Sequence, residues 1–155
     1  MKRDAALVPL SHDHHTALVL ARRCKVAAKA GTGDDAWRRV REAFPAHLEP
    51  HFVIEERFLL PALEKIGESE MVARVREDHA LLRKLASATT ASAGTVERFG
   101  LALEAHVRFE ERQLFEVAQA RLPAETLELV AQGCRTIPRV PPACIAEVAM
   151  RRGSS

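Results

Sequence analysis

Two near-copies of one segment carry the residues best suited to chemistry in this chain. His51-Phe-Val-Ile-Glu55-Glu56-Arg57 and His106-Val-Arg-Phe-Glu110-Glu111-Arg112 each set a histidine four residues ahead of a carboxylate. On an α-helix, residues at that spacing lie on one face, one turn apart. Each segment therefore offers an imidazole and a carboxylate pointing the same way. Imidazole is a terminal nitrogen donor, whereas a carboxylate has two oxygens and can bridge a pair of metal ions. Two such pairs on two helices make a ligand set for two ions. Chance gives roughly 0.1 copies of His-x-x-x-Glu-Glu in a chain of this size, so the doubled motif is a specific signal.

Single histidines extend the set. Asp13-His14 resembles Asp78-His79. One of His14 and His15 must face inward, and the shared Asp-His pair favours His14, leaving His15 beside the site. The candidate ligands are then His14, His51, Glu55, His79, His106 and Glu110, with Glu55 and Glu110 bridging. Mixed nitrogen and oxygen donors suit iron or manganese, with zinc a further option. Buried carboxylates are costly unless paired or coordinated, so a metal explains this set better than an empty core does. His47 lies four residues before His51 and is a candidate additional ligand or support. Glu56 and Glu111 fall one residue off the ligand stripe and read as solvated or supporting groups. Arg57 and Arg112 are their expected ion-pair partners.

Positioning these residues requires long helices, and helical periodicity dominates the chain. A first helix is expected over about 11–30, with Ser11 as its N-cap. Gly31-Thr-Gly-Asp-Asp35 stops it and starts the next. The second helix, about 35–66, contains Pro45, Pro50 and Pro61, and should be bent or broken near Pro45 or Pro50. A third is expected over about 69–89 and a fourth over about 95–121. A short helix near 124–132 follows, then an extended segment from Ile137 and a frayed tail. Phe52, Phe58, Phe109 and Phe115 read as core that also dries the site. Trp37 and Cys24 read as packing residues. The expected fold is all-α, an up-down-up-down four-helix bundle with a short extra C-terminal helix. Its two helical hairpins are related by an approximate two-fold.

At 155 residues the chain is expected to form one domain, 1–155, with a bundle core of about 10–121 and a C-terminal helix and tail over 122–155. The net charge of +2, with acids and bases interspersed, argues against a nucleic-acid surface. No apolar run is long enough for a membrane span, and the N-terminus lacks the apolar stretch of a signal peptide. The three scattered cysteines, Cys24, Cys134 and Cys144, form no CxxC pair and point to a reduced, cytoplasmic compartment. The absence of tyrosine rules out a tyrosyl radical within this chain.

The pattern of His14, His51-x-x-x-Glu55, His79 and His106-x-x-x-Glu110 resembles the hemerythrin-like, or HHE cation-binding, domain, over roughly residues 7–120. The resemblance implies that those six residues hold two non-haem iron ions. It also implies binding or sensing of dioxygen, nitric oxide or peroxide, or handling of iron. Oxygen-carrying hemerythrins add a histidine four residues after the one on the third helix, and an aspartate on the fourth. Position 83 here is arginine, which weighs against a reversible oxygen carrier. A di-iron enzyme (peroxidase, oxidase or iron-centre repair) and a metal-free structural bundle are the alternatives. The sequence shows no separate acid–base or substrate pocket, and leaves oligomeric state and any protein partner open.

Overall fold

A computed structural model describes residues 2–139. Cys144 and the tail expected to fray lie outside the described residues. Within them the chain is helical, without strands. Helix α1 is Val8–Ala30. Helix α2 spans 33–65, α3 is Ser69–Ala86, α4 spans 93–121 and α5 is Ala124–Thr136. The first four run up, down, up, down, and α5 packs against α2.

Helix ends follow local chemistry. Gly31 and Gly67 adopt left-handed backbone, with φ of 75° and 92°, and end α1 and α2. Asp34 and Asp35 occupy the first turn of α2, where the helix dipole favours negative charge. Ser92 caps α4 by accepting from the Thr95 amide at 3.2 Å. Ser11, the expected cap of α1, is inside the helix. That helix begins at Val8 after a turn in which Asp4 accepts from the Leu7 amide. Pro9 fits its first turn because the missing N–H has no helical partner there.

The expected break in α2 does not occur. The helix runs through all three prolines by widening twice, at the π-helical turns Phe44–Leu48 and Glu55–Leu59. In each, the residue after the turn donates to a carbonyl five back: Glu49 to Phe44 and Leu60 to Glu55. Pro45 lies within the first turn, and Pro50 and Pro61 come just after these shifted bonds. The carbonyl ladder has slipped there, which accommodates residues with no N–H to give. Helix α4 has a third such turn, Glu110–Leu114, with Phe115 donating to Glu110 and no proline nearby. The widened turn thus accompanies the glutamate of the repeat, with or without proline.

The core has two apolar layers. One gathers Trp37, Phe44, Phe52, Phe99 and Leu103; the other gathers Leu10, Ile54, Leu59, Leu63, Val75 and Phe115. Trp37 anchors the first, packing edge-on against Phe99 and donating from Nε1 to the Ala88 carbonyl at 3.0 Å. Helices α1 and α4 approach closely at Gly100. A Cβ there would lie 2.7 Å from the Ala21 carbonyl oxygen and 3.0 Å from Cys24 Cβ. Because backbone cannot move aside cheaply, Gly100→Ala is expected to cost about 1–3 kcal/mol of stability, seen as a lower thermal midpoint. Ordinary stability in this variant would show that the helices can part without penalty.

Candidate metal centre

Between the two apolar layers lies one polar layer. Each bundle helix passes from one layer to the other and delivers its polar residue at the crossing. His14, His51, Glu55, His79, His106 and Glu110 are all buried there. The side chains of Glu55 and Glu110 have no exposed surface. Each glutamate begins a π-helical turn and is followed by buried residues at matching offsets: Leu59, Leu60 and Leu63 after Glu55, and Leu114, Phe115 and Ala118 after Glu110. Leu114 is buried, whereas its neighbour Gln113 is exposed.

The donor atoms form two groups that share both glutamates. His14, His51, Glu55 and Glu110 make one; Glu55, His79, His106 and Glu110 make the other. Within each group the atoms lie within 4.8 Å of one another. Glu55 turns Oε1 to His51 Nε2, at 3.1 Å, and Oε2 to His79 Nε2, at 3.2 Å. Glu110 Oε2 lies 2.9 Å from His14 Nε2 and 3.4 Å from His106 Nε2. These are charge contacts without hydrogen-bond alignment. No oxygen of either glutamate accepts a hydrogen bond among the described residues, and His79 Nε2 has no hydrogen-bond partner. Buried polar atoms left in this state are costly, and so many gathered in one layer suit bound metal.

The outer face of each imidazole meets a carboxylate. His14 Nδ1 pairs with Glu111 at 2.6 Å and His51 Nδ1 with Asp13 at 3.0 Å. His79 Nδ1 pairs with Glu56 at 2.8 Å, and His106 Nδ1 faces Asp78 at 3.4 Å. A proton held on Nδ1 by a carboxylate leaves Nε2 free to coordinate and fixes the plane of the ring. The pattern repeats across the two-fold. The aspartate before the histidine of one helix serves the repeat histidine of the next, and the second glutamate of each repeat serves a histidine on another helix. Sequence placed Glu56 and Glu111 near the site as solvated or supporting groups. It did not find the roles of Asp13 and Asp78, although the shared Asp-His pair was their signal.

Protonation in this arrangement follows from charge. Burial presses His79 toward neutrality, but the carboxylates of Glu55 and Glu56 carry it up to about 9. Burial likewise opposes the charge on His51, yet Glu55 and Asp13 raise it well above the usual imidazole range. Glu55 is held well below the usual carboxylate range by His51 and His79 against the cost of its own burial. Without metal, protons on the imidazoles therefore balance the buried carboxylates.

Other sequence expectations fare differently. His15 is exposed and belongs to neither donor group, and His12 is exposed too. His47 is buried outside both groups. Its ring nitrogens have no hydrogen-bond partners among the described residues, and Nε2 lies 3.9 Å from Asp13. Arg57 and Arg112 are exposed and do not pair with Glu56 and Glu111. Arg83 and Arg3 take those places, because they reach inward from neighbouring segments while the repeat arginines point away from the bundle. Arg83, at the position of the extra histidine of oxygen carriers, also clamps Glu49 at 2.8 Å.

Beside the imidazoles is a cavity lined by His14, His51, His106, Asp13, Phe52 and Leu103, among others. Its free volume of about 10 Å³ suits one water-sized molecule. Among the described residues, no helix is long and apolar enough to cross a membrane. In comparison with known proteins, residues 5–118 match the hemerythrin HHE cation binding domain. No curated protein and no solved structure gives a significant match.

Proposed function

Because the chain belongs to the hemerythrin HHE cation-binding domain family, we propose that it holds two non-haem iron ions and uses them to bind or sense dioxygen, nitric oxide or peroxide, or to handle iron. The observation that carries this reading is the sharing of Glu55 and Glu110 by two donor groups, with none of their oxygens otherwise hydrogen-bonded. His14 and His51 would hold one ion and His79 and His106 the other, with both glutamates bridging. Bound iron supplies redox chemistry and coordination positions for a small exogenous molecule.

The protein's own residues select and orient. A cavity with room for a single water-sized molecule disfavours organic substrates. Phe52 and Leu103 keep that cavity apolar. Asp13 also faces it, but burial is outweighed by His51 and Arg139, which hold the carboxyl below its ordinary range. It is thus engaged as an anion rather than free to donate a proton. Among the described residues Cys24 and Cys134 form no disulfide with each other.

His51 and His106 each belong to one donor group only. Protein purified from iron-supplied cells should lose about half its iron on His51→Ala or His106→Ala, together with much of its near-ultraviolet absorption. Full iron content in both variants would sink the assignment.

A further inference from the structure

On the metal reading above, we propose that Arg3 and Arg139, from the two ends of the described chain, are positioning residues for the ion between His14 and His51 and set how tightly that one ion is held. Neither arginine lies within the matched residues 5–118. Each clamps a carboxylate that orients one imidazole of the same half-site.

Arg139 follows α5 and crosses to α1. Its Nε donates to Asp13 Oδ2 at 2.6 Å, the same oxygen that faces His51 Nδ1 at 3.0 Å. The guanidinium is itself held, because Nη1 donates to the Cys134 carbonyl at 3.0 Å. Arg3 does the matching work at the other end. Its Nη2 donates to the Glu111 carboxylate at 2.9 Å and to the Glu111 carbonyl at 2.8 Å. Its Nη1 donates to Glu116 and Gln119. Arg3 also lies over the Phe115 ring, 5.3 Å from its centroid, and Phe115 stacks on His14 at 5.1 Å. His14 is thus supported from Arg3 along two routes, through Glu111 and through Phe115.

The other half-site is built differently. Glu56, which orients His79, is held by Arg83 of α3 at 2.7 Å. Among the described residues, the arginine nearest Asp78, which faces His106, is Arg74 at 4.0 Å, beyond hydrogen-bond reach. One ion is therefore braced from within the bundle and the other from the chain ends. A carboxylate held by a charge-assisted bond to a fixed guanidinium cannot rotate away from its imidazole. Freeing it lets the ring swing, and losing such an outer partner costs about 10–100-fold in metal affinity.

The test is metal release. The full chain is loaded with cobalt(II), challenged with excess chelator, and followed by cobalt absorption. Arg139→Gln and Arg3→Gln should each speed loss of the same single ion by about 10–100-fold and leave the second ion slow. Arg83→Gln should speed loss of the second ion, so that Arg83→Gln combined with Arg139→Gln releases both quickly. The Arg3 variant keeps the test open should the Arg139 variant fail to fold, and the thermal midpoint of metal-free protein separates general loosening from loss of positioning. Release of both ions at equally raised rates, or of neither, in the Arg3 and Arg139 variants would overturn the proposal while leaving the two-ion reading intact. Failure of the wild-type protein to retain cobalt would overturn both.

Discussion

Glu55→Gln leaves a protein that holds neither ion. Glutamine matches glutamate in size, so the helix and its packing persist. The side chain loses its charge and keeps only one oxygen. Glu55 belongs to both donor groups, with one oxygen beside His51 and the other beside His79. Its amide would also point N–H groups toward one half-site, where a cation is to sit. The loss should therefore far exceed the ~10–100-fold typical of an outer partner. Glu110→Gln should behave alike, whereas Glu56→Gln should weaken binding without abolishing it. Elemental analysis alongside far-ultraviolet circular dichroism measures both content and fold. Two ions retained by folded Glu55→Gln would falsify the bridging role.

Metal loading is expected to raise the thermal midpoint substantially, and more so at higher pH. A ligand present at 1,000 times its dissociation constant adds about 4 kcal/mol, or on the order of 10 °C for a chain of this size. The pH dependence follows from the imidazoles. In the metal-free protein His79 is raised to about 9, above its unfolded value. The stability its charge contributes is fully present below about 6.5 and is lost as pH rises through about 9. Coordination needs the neutral ring, so the loaded protein has no such loss. The gap between loaded and metal-free midpoints should widen from pH 6.5 to 9, and loading near neutral pH should release protons. A gap that narrows over that range would contradict the assigned protonation.

The doubled motif was legible because its chemistry and its helical spacing coincide within seven residues. His14 and His79 were legible for a related reason, since each follows an aspartate in the partner helix. What stayed hidden depended on contacts between helices. Nothing local tells that Asp13 serves His51 or that Arg139, far along the chain, grips Asp13. A break was open because a helix read as strictly α must bend or break at Pro45 or Pro50, whereas a widened turn absorbs them. Ser11 misled: it reads as a cap beside an apolar stripe, yet its hydroxyl donates to Glu111 at 2.7 Å.

The widened turns also change what α2 can face. A straight helix presents one stripe along its length, and each added residue turns the stripe by about 100°. Beyond Glu55 the helix is wound wider, with the Leu60 amide donating five residues back, and the buried side runs on through Leu59, Leu60 and Leu63. Helix α5 seats itself at that discontinuity, where a Cβ on Gly133 would come within 2.6 Å of the Phe58 ring. The stretch 49–59 can thereby address the polar layer on one side and α5 on another. The extra residue works as a gear, turning the outgoing half of the helix relative to the incoming one. Deleting it would leave the composition almost intact while aiming the whole of 60–65 at the wrong neighbour.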